Sequence, residues 1–199
     1  SENIELGFKA IIFKKIILNV KLFNTTIFNA IARENGSLYE DTMFFYDGDS
    51  LRIQMNKNIA GANISGLNFN FKYNLSQNLI LNSSLNFLQG INHNNDPLAH
   101  IPPFNSSVNL KYLNKKNIVE FYALYNGWKK TEDYDLAGVD NIEEATIDGS
   151  PSWYTLNIAY TSKIDTSISY TIEIKNLFYT HYKLFGSGLS ASGRNFTLS

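Results

Sequence analysis

The chain has 199 residues, enough for one domain with a sizeable core. Its 17 Lys and Arg balance 18 Asp and Glu, so no net field favours nucleic acid or an acidic partner. Without cysteine there is neither a disulfide framework nor a thiolate metal site, and the charged fraction of 18% is below the roughly 25% usual in soluble proteins. No apolar run approaches the ~20 residues of a transmembrane helix, and the start does not resemble a signal peptide.

Period 2 dominates the chain. Ile4, Leu6, Phe8, Ala10 and Ile12 alternate with Asn3, Glu5, Gly7 and Lys9; after a Lys14-Lys15 turn, Leu18, Val20 and Leu22 alternate with Asn19 and Lys21. Beyond Phe23 the second strand reads less cleanly, and residues 35–61 form a long polar connection with a hairpin around Asp47-Gly48-Asp49. Leu67, Phe69, Phe71, Tyr73 and Leu75 then oppose Gly66, Asn68, Asn70 and Lys72. Past the Ser76-Gln77-Asn78 turn, Leu79, Leu81, Leu85 and Phe87 oppose Asn82, Ser84 and Asn86. Loop 91–103 holds three of the 4 prolines. Phe104, Val108, Leu110 and Tyr112 make the next strand, and Val119, Phe121, Ala123 and Tyr125 follow the turn at 114–117. A polar loop at 129–152 precedes Tyr154, Leu156, Ile158 and Tyr160; a turn at 163–166 leads to Ile168, Tyr170, Ile172 and Ile174, and Phe196 and Leu198 end the chain.

This gives about nine strands of roughly ten residues, the length that crosses a bilayer when tilted. Connections alternate between short (14–15, 76–78, 113–117, 163–167) and long (35–61, 91–103, 129–152, 179–192). Segregation of loop length by end is the meander of a transmembrane β-barrel, and the Asn, Ser, Thr, Lys and Glu of the opposite face suit a hydrated lumen. A soluble antiparallel sheet with one wet face also alternates, but loop asymmetry and strand length count against it.

The segment Asn176-Leu177-Phe178 with Tyr182, Gly186-Ser187-Gly188 and Gly193-Arg194-Asn195-Phe196 resembles the last extracellular loop and last strand of a TonB-dependent outer-membrane receptor. Four more segments are similar to strand openings of that family, in the same order: Ser1–Lys9, Asn58–Leu67, Ile101-Pro102-Pro103-Phe104, and Asp148-Gly149-Ser150-Pro151-Ser152-Trp153-Tyr154. The asparagine-rich composition is similar to that of receptors from Bacteroidetes-like bacteria. The resemblance implies an all-β, antiparallel up-and-down barrel of which residues 1–199 are a part, the last nine strands of about 22. The plug and earlier strands are then expected upstream, and the last strand is expected to continue past Ser199. It further implies an integral protein of the outer membrane of a Gram-negative bacterium, embedded in outer-membrane lipid. Such a receptor takes up a scarce nutrient (ferric siderophore, haem, cobalamin or similar) with energy from TonB–ExbB–ExbD acting on the plug, without a cofactor and without enzymatic chemistry.

Physical reasons accompany the motif residues. Pro102 and Pro103 lack N–H donors and belong where a strand meets a loop. Gly186, Gly188 and Gly193 permit positive φ. Arg194 reads as an interfacial anchor, and Trp128, Trp153, Tyr154 and Tyr125 fall at strand ends where aromatic girdles lie. Candidate ligand contacts are the loop aromatics Phe44, Phe45, Tyr46, Tyr182 and Phe185, with the first three foremost, and His93 and His100. For the histidines, including His181, a solvated loop position is the preferred reading. The acidic residues of 129–152 (Glu132, Asp133, Asp135, Asp140, Glu143, Glu144, Asp148) lack EF-hand spacing, so a solvated loop is preferred over a Ca²⁺ site. No nucleophile elbow, HExxH or phosphate loop is present. A passive porin remains the alternative; a barrel enzyme would need His100 or His181, and an adhesin rests on long loops alone.

Overall fold

The computed structural model describes residues 1–165 and 167–199. Thr166, the last residue of the expected 163–166 turn, lies outside the described residues. Nine strands form one sheet: β1 (Glu2–Ile12), β2 (Ile16–Phe28), β3 (Gly61–Asn74), β4 (Leu79–Asn92), β5 (Asn105–Asn114), β6 (Asn117–Asn126), β7 (Trp153–Lys163), β8 (Ser169–Lys175) and β9 (Asn195–Leu198). Every strand pairs antiparallel with its sequence neighbour, in an unbroken meander. This is the all-β up-and-down architecture expected from the alternation. Among the described residues no helix is long and apolar enough to cross a membrane.

Register places like residues on like faces. Leu22, Leu67 and Phe87 are paired across β2, β3 and β4, as are Val20, Phe69 and Leu85. Large side chains on this face are exposed along the wall, among them Leu6, Phe8, Leu22, Phe87, Phe121 and Ile172. An apolar face of that extent has no place in water and fits lipid. The other face is a set of polar rungs. Asn68 donates to Asn86 and Asn86 to Asn105, each at 2.9 Å, and the Ser84 and Ser107 hydroxyls meet at 2.7 Å. Side-chain amides so paired satisfy each other across three strands instead of leaving unmet polar groups in the wall.

β2 continues past the expected end to Phe28. The alternation falters at Phe23 because that aromatic stands on the polar face, directly opposite Gly66. A Cβ on Gly66 would lie 2.5 Å from the Phe23 ring, so the glycine leaves the space that the ring fills. The first long connection spans residues 29–60, and it holds a ladder of Ile31–Asn35 with Gln54–Asn58 that the sequence pattern did not announce. The expected hairpin at Asp47-Gly48 is present, with Met43–Tyr46 paired to Asp49–Arg52. Asp47 and Gly48 both have positive φ (51° and 91°), the backbone of a type I′ turn.

Candidate functional site: the loop cap

All four long connections (29–60, 93–104, 127–152 and 176–194) leave the same end of the sheet, and the third ties them together. Lys129 is 3% exposed; its ammonium donates to the Ile101 carbonyl at 2.5 Å and lies 3.9 Å from Asp140 Oδ2. It also sits over the rings of Phe185 (4.5 Å) and Tyr134 (5.3 Å). Burial pushes the Lys129 ammonium below its ordinary pKa; the carboxylates of Asp140, Asp133 and Asp135 act against that shift without cancelling it.

Asp140, itself 3% exposed, accepts the backbone N–H of His100 with both oxygens (2.9 and 3.0 Å), and His100 Nδ1 lies 3.2 Å from Oδ1. Asp135 accepts the N–H groups of Ala137, Val139 and Asp140 and so folds 135–140 into a compact knuckle. Toward the first loop, Asn35 donates to the Leu136 carbonyl at 3.0 Å and Gln54 to that of Ala137. Toward the last loop, Asn141 donates to the Gly186 carbonyl at 2.8 Å and Lys183 pairs with Glu144 at 3.3 Å.

The solvated-loop reading of 129–152 is therefore corrected at Asp135 and Asp140. Both are buried, and their oxygens are occupied by backbone donors. Among the described residues no group of three metal-ligating acids or histidines converges.

A cavity of about 760 Å³ opens between loops 29–60, 93–104 and 127–152, lined by Ile31, Arg33, Ile59, Asp96, Pro97, Leu98, His100 and Leu136 among others. Its lining mixes aliphatic residues with an arginine, a carboxylate and an imidazole, groups able to orient a small molecule. Arg33 is exposed and has no carboxylate within 4 Å among the described residues.

Of the expected ligand contacts only His100 lines this cavity. Tyr182 and Phe185 are spent on internal packing. Tyr182 packs against Trp153, the rings tilted by 31° with centroids 4.1 Å apart, and Phe185 packs on Tyr134 and Lys129. Phe44, Phe45 and Tyr46 stand on the hairpin tip, exposed, with Phe44 and Tyr46 stacked on each other. His93 lies in the turn after β4 and does not line the cavity, and His181 Nε2 meets the Ser190 hydroxyl at 2.9 Å. Sequence reasoning passed over Arg33, Asp96 and Leu136, which sit in stretches with no periodic signal.

The motif residues occupy structural positions. Asn176 is the most deeply buried side chain among the described residues: its amide donates to Thr180 O and accepts Thr180 N–H, both at 2.8 Å. Its own N–H donates to Asn157 Oδ1 at 2.8 Å, and it holds φ at 54°. Leu177 and Phe178 follow it out of the wall, Phe178 exposed. Arg194 is not a free anchor, because its Nε donates to the Leu177 carbonyl at 2.9 Å and closes the base of the last loop. Asn195 and Phe196 open β9. Pro102 and Pro103 stand just before β5, and Pro151 just before β7.

Only Gly186 of the three last-loop glycines has positive φ (73°). Gly193 is needed for space instead, since a Cβ there would lie 2.6 Å from the Tyr179 ring, and Gly188 abuts Glu144 at 3.3 Å. Gly149 has φ 98°, and a Cβ would collide with the Lys129 carbonyl. Trp153 belongs to the polar face beside Thr155 and Asn157, not to the girdle; Tyr125, Trp128 and Tyr154 are exposed at the loop end, as a girdle requires.

Charge is segregated along the strand direction. The four loops carry 13 of the 18 acids but 7 of the 17 bases, leaving ten lysines and five acids to the wall and short turns.

A nine-strand meander with an apolar outer face and a loop cap at one end is the wall of a membrane barrel. Residues 1–195 match the family model described as TonB dependent receptor-like, beta-barrel, and the chain belongs to that family. Its fold is similar to that of the copper transporter OprC (TM-score 0.77, 16% identity). It is also similar to the ferric enterobactin receptor PfeA of Pseudomonas aeruginosa, solved with enterobactin (0.74, 17%), and to the siderophore receptor PirA of Acinetobacter baumannii (0.70, 14%). In each case 98% of this chain is covered and 30% of the other, so the chain spans under a third of their length. No curated protein matches in a sequence search. The family and these structures are receptors and transporters, not enzymes.

Proposed function

We propose that the chain is the C-terminal wall and loop segment of an energy-coupled outer-membrane receptor, embedded in outer-membrane lipid, that takes up a scarce nutrient. The cargo is a metal chelate such as a ferric siderophore, or haem, cobalamin or a similar compact molecule. The observation that carries this reading is the bonding of all four loops into one cap with a cavity of about 760 Å³ between three of them. That volume falls in the range of small-molecule sites. A cap anchored by Lys129 and Asp140 gives the outer vestibule a fixed shape, against which a plug supplied by the rest of the receptor closes. TonB–ExbB–ExbD then acts on that plug, which lies outside the span of this chain. The names of the similar structures support a metal or siderophore cargo.

The test is nutrient-limited uptake by cells carrying the full-length receptor, with and without a functional TonB system. Uptake that stops without TonB is expected. Uptake that continues at the same rate would replace this reading with a passive channel, in which lumen polarity alone selects solutes.

A further inference from the structure

The short-turn end of the wall carries a pattern that cargo binding does not use. Lys14, Lys15, Lys115, Lys116 and Lys163 cluster at three of the four short turns, against a single acid, Asp165. The Asp165 carboxylate accepts the N–H groups of Ser167 and Ile168 at 2.7 and 2.9 Å, which holds its pKa below the ordinary value and directs its charge inward to the turn. Two of the lysine turns are joined: Lys116 Nζ donates to the Ile164 carbonyl and the Lys163 N–H to the Lys116 carbonyl, both at 3.0 Å.

The first turn adds an independent observation. Phe13 and Lys14 hold φ at 49° and 56°, a two-residue turn closed by the Lys15 N–H on the Ile12 carbonyl at 3.0 Å. Asn-Gly is the usual occupant of such a turn because both positions need positive φ. A phenylalanine there is strained, and within this chain it gains nothing, being 88% exposed. Its exposed ring stands at the tip of the turn just past Ile12, with lysines at the next two positions. Ile164 (58% exposed) repeats the arrangement beside Lys163. Apolar tip and flanking lysines together suit the boundary between acyl chains and phosphates. The loop end, where acids outnumber bases by 13 to 7, would repel the same surface.

We propose that the short-turn rim is a docking surface for the headgroups of anionic phospholipids in the leaflet it faces, with Phe13 seated in the acyl boundary and the lysines on the phosphates. This rests on the reading of the sheet as a membrane barrel wall.

The experiment is native mass spectrometry of the full-length receptor, released from mixed phosphatidylglycerol and phosphatidylcholine bilayers, with retained lipids counted. The receptor is expected to retain phosphatidylglycerol over phosphatidylcholine by roughly fivefold or more, the effect of one well-placed lysine at an anionic surface. The preference should fall toward parity at high salt. Replacing Lys14, Lys15, Lys115, Lys116 and Lys163 together by Gln should abolish it, and replacing the same five by Arg should keep it. Equal retention of both lipids by the unaltered receptor, or a preference that survives the glutamine variant, overturns the proposal. If the glutamine variant fails to fold, the salt titration of the unaltered receptor decides. A receptor that does not enter these bilayers would instead overturn the barrel reading.

Discussion

Lys129 Nζ lies 3.9 Å from Asp140 Oδ2 with the two side chains 3% and 2% exposed, and between them they hold residues of the second and last loops. Lys129 reaches the Ile101 carbonyl and the Phe185 ring, while Asp140 reaches the His100 N–H. The pair is not symmetric. Removing Asp140 strands a buried ammonium and frees the His100 N–H, whereas Lys129→Met leaves the carboxylate its backbone donors and fills the space between Tyr134 and Phe185. Asp140→Ala should therefore cost about 3 kcal/mol or more of cap stability, and Lys129→Met clearly less. Hydrogen exchange of the full receptor checks this. Protection should be lost across 93–104 and 127–152 in the Asp140 variant while β3 to β6 keep theirs, and equal losses in the two variants would refute the asymmetry.

The same lysine gives the cap a pH dependence. Its folded pKa is depressed by burial below the ordinary lysine value of 10.5, so between those two values the opened loop binds more protons than the closed one. Cap stability then rises with pH as it climbs through the depressed value toward 10.5, and Lys129 contributes no slope below that window, where it is protonated in both states. Protection factors for 127–152, corrected for intrinsic exchange, should increase across this alkaline window. In Lys129→Met the increase should be absent.

Why the wall was legible and the cap was not follows from these residues. Leu67, Phe69, Phe71 and Tyr73 report their face by alternation alone, since lipid on one side and polar rungs on the other impose period 2. The one strand that read poorly, β2, carries Phe23 on the polar face, and the glycine that accommodates it lies 43 residues away at Gly66. The ladder of Ile31–Asn35 with Gln54–Asn58 buries little, so no apolar pattern marks it. Asp135 and Asp140 have the composition of a solvated loop. Asp140 is buried against His100 and Lys129, and the knuckle folded by Asp135 is met by Asn35 and Gln54 from the first loop, which no local pattern encodes. Tyr182 and Phe185 were recognised as special residues but assigned to ligand, because an aromatic facing cargo and one packed on Trp153 or Lys129 look the same in sequence.

Two glycines of the cap should respond differently to alanine. Gly149 combines φ 98° with a Cβ path into the Lys129 carbonyl, so Gly149→Ala has to move the backbone that positions Lys129. Gly186 has φ 73° and open space around it, leaving only the conformational penalty of about 1 kcal/mol. Limited proteolysis of the full receptor should cut within 129–150 readily in Gly149→Ala, and Gly186→Ala should resemble the unaltered protein.

The hairpin tip offers the converse case, aromatics exposed to solvent, of which Phe44 and Tyr46 pack only on each other. Phe44, Phe45 and Tyr46 are 51%, 72% and 64% exposed. Truncating Phe45 to Ala should change stability by less than about 0.5 kcal/mol. If the tip closes over cargo, the same change should weaken cargo binding several-fold, read by titration calorimetry with the transported chelate. Unchanged affinity would remove the tip from the binding surface and leave the Arg33–His100 cavity as the contact.

Asn176 supports the last loop in two separable ways. Its backbone sits at φ 54°, a conformation asparagine tolerates better than most residues, and its amide bonds Thr180 in both directions while its N–H meets Asn157. Asn176→Gly keeps the backbone and loses the side-chain bonds, leaving the half-buried N–H and C=O of Thr180 without these partners. Asn176→Ala loses the bonds and adds strain at positive φ. A fully buried unmet group costs about 1–3 kcal/mol, so each half-buried one here costs about 1 kcal/mol, and the strain adds about 1 kcal/mol. Both variants should loosen residues 176–194, with Ala worse than Gly by roughly that strain. Exchange of the Thr180 and Ala191 amides reads the difference, Ala191 because its N–H donates to Tyr182 across the loop base at 2.8 Å. If Gly proves as well protected as Asn, the amide bonds carry no weight and only the backbone shape at 176 matters.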